Sequence, residues 1–236
     1  MITSRILAFF MSAVFFLTSS VLPVAPRPSS EERLAALSNE HVEEAPSDKE
    51  ELLKTPYMEM VKEYAHDFGL DFRLVLALIK QESQFDPDVV SDRGALGLMQ
   101  IMPPTGDEIS EKLNLQNVRT PRRNVEVGIY YFAEILELFK GVSAENRLRL
   151  SLAAYYAGPS RIYDAQEIAA YMGENPNSWA SVKSALPLLS KRFYSLHQAI
   201  WEGGRPKNGF FGGWRQTLAY VDNVMANYQE FQRTYN

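Results

Sequence analysis

Residues 75–105 read VLALIKQESQFDPDVVSDRGALGLMQIMPPT, and the fold turns on this stretch. Its first part continues a helix expected from about Asp71 to Gln84. Leu74, Val75, Leu76, Ala77, Leu78 and Ile79 leave almost no polar face, so this helix should be buried on most sides. Glu82 stands near its end, and Asp86-Pro87 stops the helix beyond it. A carboxylate in the last turn of a buried helix meets the negative end of the helix dipole and loses solvent. Both effects favour the neutral acid, which is the form a general acid needs near neutral pH. A solvated glutamate at a frayed helix end is the competing reading, and position alone leaves both open.

The string Ser91-Asp92-Arg93-Gly94-Ala95-Leu96-Gly97-Leu98-Met99-Gln100-Ile101-Met102-Pro103 follows. Two glycines separated by two residues, then an apolar run carrying one glutamine, suit a backbone folded tightly beside a cleft. Gln100 can donate and accept hydrogen bonds, as the amide and hydroxyl groups of a sugar require. A lone GALG would be read as a glycine-punctuated loop entering the core. The ordered whole is more specific: the Glu82-Ser83 pair, Phe85-Asp86-Pro87, Ser91, and the run from Gly94 to Pro103. In that order these residues resemble the catalytic signature of the goose-lysozyme-like SLT family of lytic transglycosylases, glycoside hydrolase family 23. The resemblance extends from about Tyr57 to the C-terminus. It implies an all-α, lysozyme-like globular domain with a substrate groove.

Helical patterning runs outward in both directions. Thr55-Pro56 reads as an N-cap with proline at the first helical position. Val61, Tyr64, Ala65 and Phe68 then share one face, closed by Gly69. After Met102-Pro103-Pro104-Thr105 a polar helix is expected to about Leu113. Asn124 is expected to cap the next, with Val125, Ile129, Phe132, Ile135, Leu136 and Phe139 inward and Gly141 at its end. Further helices are expected from about Ala144 to Ala157, from a Ser160 cap to Met172, and from about Gln216 to Gln232. No period-2 strand pattern of useful length appears, nor a repeat of 20–50 residues.

A second constellation is Leu152-Ala153-Ala154-Tyr155-Tyr156-Ala157-Gly158. Two tyrosines beside small residues at a helix end offer hydroxyls and ring faces to a sugar, or else pack in the core. The segment resembles the family's Ala-Tyr-Asn-Ala-Gly element, with Tyr155 on its tyrosine and Tyr156 where asparagine is usual. Gln216-Thr217-Leu218-Ala219-Tyr220-Val221 resembles the Glu-Thr-Arg-x-Tyr-Val element in part, departing at Gln216 and Leu218. The resemblance makes Tyr220 the tyrosine that reaches toward the acid; otherwise it is a packed helical tyrosine. The excursion from Asn175 through Trp179 to Ser190 looks similar to the matching part of the membrane-bound F-type catalytic domain, without room for that type's solute-binding-like N-terminal domain. Gly203 to Gly213 lacks the Gly-Lys-Ser/Thr ending of a phosphate loop and follows no strand. A mobile lid or loop over the groove is expected there instead.

The 236 residues are 46% apolar, enough for one main domain with a sizeable core. A net charge of −5 argues against nucleic acid as principal partner. The absence of cysteine excludes disulfides, thiolate nucleophiles and an acylated lipoprotein cysteine. Arg5 followed by the apolar Ile6–Leu17 reads as an export signal over residues 1–25, pointing to the periplasm or cell envelope. If uncut, Ile2–Val24 is just long enough for a membrane anchor. Residues 26–54, acidic and proline- and serine-containing, read as a tether. The catalytic domain then occupies residues 55–236.

Ordinary glycosidases place two carboxylates about the scissile bond. Asp86 fits a turn-forming Asp-Pro, and Asp88 and Asp92 fit a solvated loop, so none is a compelling nucleophile. His41, His66 and His197 are scattered, which gives no metal site, and no cofactor motif is present. The resemblance implies peptidoglycan glycan strands as partner and a single acid, Glu82. Ser91, Met99, Gln100, Ile101, Tyr155 and Tyr156 would line the sugar subsites, and Tyr220 would orient Glu82. A lysozyme-type hydrolase on the same scaffold and a non-catalytic wall-binding module are the alternatives.

Overall fold

The apolar run at 74–79 forms a helix whose six residues there are each at most 6% exposed. Burying a valine, leucine or isoleucine contributes roughly 1.5–3 kcal/mol, so this helix organises the core. The computed structural model describes residues 56–115 and 120–235. These lie within one compact unit, Ala45–Asn236. The signal or anchor at 1–25, the tether at 26–54 and the Thr55 cap lie outside the described residues.

Among the described residues the chain is helical, with only isolated bridges at Val90–Leu96 and Leu96–Ile101. The order is α1 Pro56–Asp67, α2 Phe72–Ser83, α3 Pro103–Leu113, α4 Pro121–Leu138, α5 Ala144–Ala157, α6 Pro159–Tyr171 and α7 Trp179–Ala185. Two 3₁₀ turns follow, Leu186–Leu189 and Lys191–Phe193, then α8 Tyr194–Ile200 and α9 Trp214–Thr234. None of the described helices is long and apolar enough to cross a membrane.

Helix α2 begins where Asp71 accepts a hydrogen bond from the Arg73 N–H. It ends where Gln84 turns left-handed at φ 55°. The C-terminal α9 packs along α2 and also against α5. Tyr228 donates to Asp71 Oδ2 at 2.8 Å, and Lys80 pairs with Glu230 at 3.0 Å. These two pairs and the Phe85–Phe231 ring contact at 6.4 Å fix α9 lengthwise on α2. The carboxylate of Asp71 therefore serves both a cap and a helix–helix joint; burial works to raise its pKa, and the bonds from Arg73 and Tyr228 together outweigh that and hold it below the ordinary value.

Three boundaries differ from expectation. Asn124 does not cap α4; Thr120 does, with Pro121 at the first helical position, and Asn124 lies one turn inside and is buried. Ser160 does not cap α6, which starts at Pro159 directly after Gly158. Gly158 reverses the chain at φ 87°, so the α5–α6 connection is a single residue. The last helix is longer at both ends than the pattern indicated.

The glycine-rich stretch 203–213 is fastened to α6 instead of standing free as a covering loop. Asn208 donates from its backbone and its amide to the buried Asp164 carboxylate, at 3.1 and 3.0 Å. Arg161 bonds the Gly209 carbonyl, and Lys207 and the Trp201 indole both bond Glu167. A buried carboxylate needs such donors, and the loop supplies them.

Candidate active site

Glu82 sits in the last turn of α2, and its side chain is reached from α9. The Tyr220 hydroxyl donates to Glu82 Oε1 at 2.6 Å, the length expected of an O–H bonded to a carboxylate. Burial raises the Glu82 pKa from 4.5 to about 7, while the Tyr220 bond pulls it the other way. Desolvation wins, so Glu82 is partly protonated at neutral pH. Among the described residues no carboxylate or cation perturbs it. Asp86 is exposed and accepts the Asp88 N–H at 2.9 Å, a local turn; Asp88 and Asp92 are also exposed.

The backbone past Glu82 is held in uncommon conformations. Gln84, Phe85 and Gln100 have φ of 55°, 65° and 46°. Left-handed non-glycine residues cost on the order of 1–3 kcal/mol each and cluster where the surrounding structure holds them for function. Here Phe85 is buried against Phe231, which compensates.

The loop after Asp88 folds back on itself. Ser91 accepts the Ala95 N–H at 2.9 Å through its hydroxyl oxygen, and Leu96 exchanges backbone bonds with Ile101. The Gln100 amide nitrogen donates to the carbonyls of Val89 and Gly97, at 3.0 and 2.9 Å. Since both partners only accept, the amide orientation is settled, and Oε1 is left as the acceptor.

Met99 and Ile101 depart from expectation. Their side chains are 0% and 5% exposed and belong to the core. Met99 lies against Gly128 of α4, where an added Cβ would stand 2.5 Å from its sulfur. With both side chains packed in the core, neither lines a groove.

Asn124 is the residue that sequence reasoning misplaced. Its Oδ1 accepts the Met99 N–H at 2.8 Å, and its Nδ2 donates to the Leu96 carbonyl at 2.8 Å. Gly97 permits this approach: a Cβ there would lie 2.8 Å from Asn124 Cγ, and its φ is 71°. Asn124 and Gly128, four apart on a helix whose other buried positions are apolar, share one face. That spacing was the available signal.

Two adjacent tyrosines of α5 complete the site. Tyr155 donates to the Met99 carbonyl at 2.8 Å. Burial, then the Glu82 charge, raises its pKa well above the ordinary value. Tyr156 is exposed, and its ring stacks on that of Tyr220. Burial and the Glu82 charge likewise raise the Tyr220 pKa, so its hydroxyl remains a donor. The structure thus brings together Glu82, Tyr155, Tyr156, Tyr220 and the loop carrying Ser91 and Gln100. One weakly acidic carboxyl, oriented by a phenol beside an exposed aromatic ring and a half-buried amide, can give and retake a proton.

The Transglycosylase SLT domain family matches residues 59–177. A membrane-bound lytic murein transglycosylase F of Alkalilimnicola ehrlichii is 32% identical over 178 residues, 75% of this chain and 33% of that protein. One from Desulfosudis oleivorans is 34% identical over 172 residues, 72% of this chain and 35% of its own length. The chain therefore spans about a third of the length of these curated relatives. The 70 kDa soluble lytic transglycosylase of Escherichia coli superposes with a TM-score of 0.52 at 23% identity, over 75% of this chain and 24% of its own, a likeness of fold.

Proposed function

Because the chain belongs to the Transglycosylase SLT domain family, we propose that it cleaves the β-1,4 bond between N-acetylmuramic acid and N-acetylglucosamine in peptidoglycan without net hydrolysis. The observation that carries this reading is Glu82: one largely desolvated carboxyl whose pKa is raised to about 7, bonded by Tyr220 and with no second carboxylate among the described residues perturbing it. A single group of that kind can act first as acid and then as base. Two-carboxylate chemistry would need a partner at about 5–9.5 Å, a place that Asp86, Asp88 and Asp92 do not suit as exposed turn residues.

Glu82 protonates the leaving glycosidic oxygen as the C1–O bond breaks. The muramyl N-acetyl oxygen closes on C1 and holds the positive charge as an oxazolinium. Glu82, now a carboxylate, takes the proton of the muramyl C6 hydroxyl. That oxygen attacks C1, the oxazolinium opens, and a 1,6-anhydromuramyl end results, with Glu82 again protonated. Tyr220 keeps Oε1 fixed through both transfers. Gln100 Oε1 meets the sugar, beside the Tyr156 ring that stacks on Tyr220. Tyr155 and Ser91 shape the loop that carries Gln100. The glycan strand is the partner and no cofactor takes part. The place of action is the cell envelope, reached through the export signal, with residues 1–25 as anchor if they are retained.

The test is digestion of purified sacculi by the full chain, with soluble products read by mass spectrometry. Products lighter by one water than reducing muropeptides, and resistant to borohydride, are expected from the wild type and absent with Glu82→Gln. Reducible products would mean a hydrolase on the same scaffold. Binding to sacculi without release would mean a wall-binding module.

A further inference from the structure

Tyr156 is one of the positions at which this chain departs from the family pattern, and its surroundings give the departure a use. It lies in the last turn of α5, 46% exposed. Its ring and that of Tyr220 have centroids 4.7 Å apart and planes inclined by 29°, a stacked pair. Tyr220 is 3% exposed, and its hydroxyl is the one bonded to Glu82.

Consecutive helix residues point about 100° apart, so Tyr155 and Tyr156 leave α5 in different directions. Tyr155 reaches the Met99 carbonyl and holds the Gln100 loop. Tyr156 reaches α9 and covers a ring face of Tyr220. A phenol orients a carboxylate only while its ring stays in place, and a flat neighbour restricts the ring better than a small polar one. Asparagine at this position would leave that ring face largely uncovered.

We propose that Tyr156 is a positioning residue: its ring, stacked on Tyr220, holds the hydroxyl that orients Glu82. The task needs the ring of Tyr156 and not its hydroxyl. It rests on Glu82 being the acid, and its effect belongs to turnover more than to sugar binding.

The experiment uses the full chain on soluble, uncrosslinked glycan strands, with anhydro ends counted by mass spectrometry to give kcat and KM. Tyr156→Ala should lower kcat about five- to tenfold, the size of a lost aromatic pair, with KM within about twofold of wild type. Tyr156→Phe should recover most of that loss. If the alanine variant melts below the assay temperature, Tyr156→Leu replaces it, with kcat expected to fall at least about threefold. An alanine or leucine variant with wild-type kcat overturns the proposal, as does one altered only in KM, which would make Tyr156 a sugar platform. A phenylalanine variant as slow as alanine overturns it too, since the hydroxyl would then be what matters. Wild type and Glu82→Gln run alongside. A wild type without anhydro ends, or an active Glu82→Gln, sinks the functional reading; a normal alanine variant beside a working wild type sinks only the positioning role.

Discussion

Glu82→Gln is expected to stabilise the folded protein at alkaline pH while it abolishes turnover. Burial carries the Glu82 pKa from 4.5 to about 7. Below pH 4.5 the carboxyl is neutral both folded and unfolded, and the substitution changes little. Between 4.5 and 7 the folded state binds more protons than the unfolded one, so stability falls as pH rises. Above 7 the cost of the buried charge is fully present. At roughly 1.4 kcal/mol per pH unit, the interval amounts to about 3 kcal/mol. Glutamine is nearly isosteric, still accepts the Tyr220 hydroxyl and carries no charge. For a domain of this size 1 kcal/mol moves Tm by roughly 2–4 °C. The variant should therefore melt about 6–12 °C above wild type at pH 8.5 and within about 1–2 °C of it at pH 4. Thermal unfolding followed by circular dichroism across that range measures the difference. A gap that is flat with pH, or a variant less stable at pH 8.5, refutes the claim that the site stores the cost of a buried carboxylate.

Tyr220→Phe removes a bond that favours the charged form of Glu82, so its pKa should rise. The alkaline limb of kcat/KM, near pH 7 in wild type, should then move upward by up to about one pH unit while kcat drops; a limb moving downward contradicts this assignment. Asn124→Ala leaves the buried Met99 N–H without its partner and takes one of two donors from the Leu96 carbonyl, which keeps the Ile101 N–H. A loss of about 2–3 kcal/mol is expected in urea unfolding, and a loss below about 0.5 kcal/mol would mean that the loop supports itself.

Much of the architecture was legible because helices carry a period. The bounds of α2 and α5 follow from apolar spacing and from the Asp-Pro and Gly-Pro breaks after them. Helices α7 and α8 have seven residues each, too few turns for a period to stand out, and they went unassigned, α7 within the excursion and α8 just beyond it. The loop at 91–101 posed a different difficulty. It has no period, so composition alone could not tell that Met99 and Ile101 turn inward while Gln100, at positive φ, does not.

The sequence by itself determined an all-α chain, a buried helix ending in a carboxylate, and the glycine loop beside it. Those features are local: side-chain spacing along one helix and the conformational freedom of Gly94 and Gly97 are enough to dictate them. Tertiary structure alone decided what the carboxylate meets. Tyr220 is 138 residues from Glu82, Asn124 is 25 from Met99, and Tyr156 finds Tyr220 only because α9 packs on both α2 and α5. The acidity of Glu82 depends on solvent excluded by those helices together, and no segment taken alone contains that quantity.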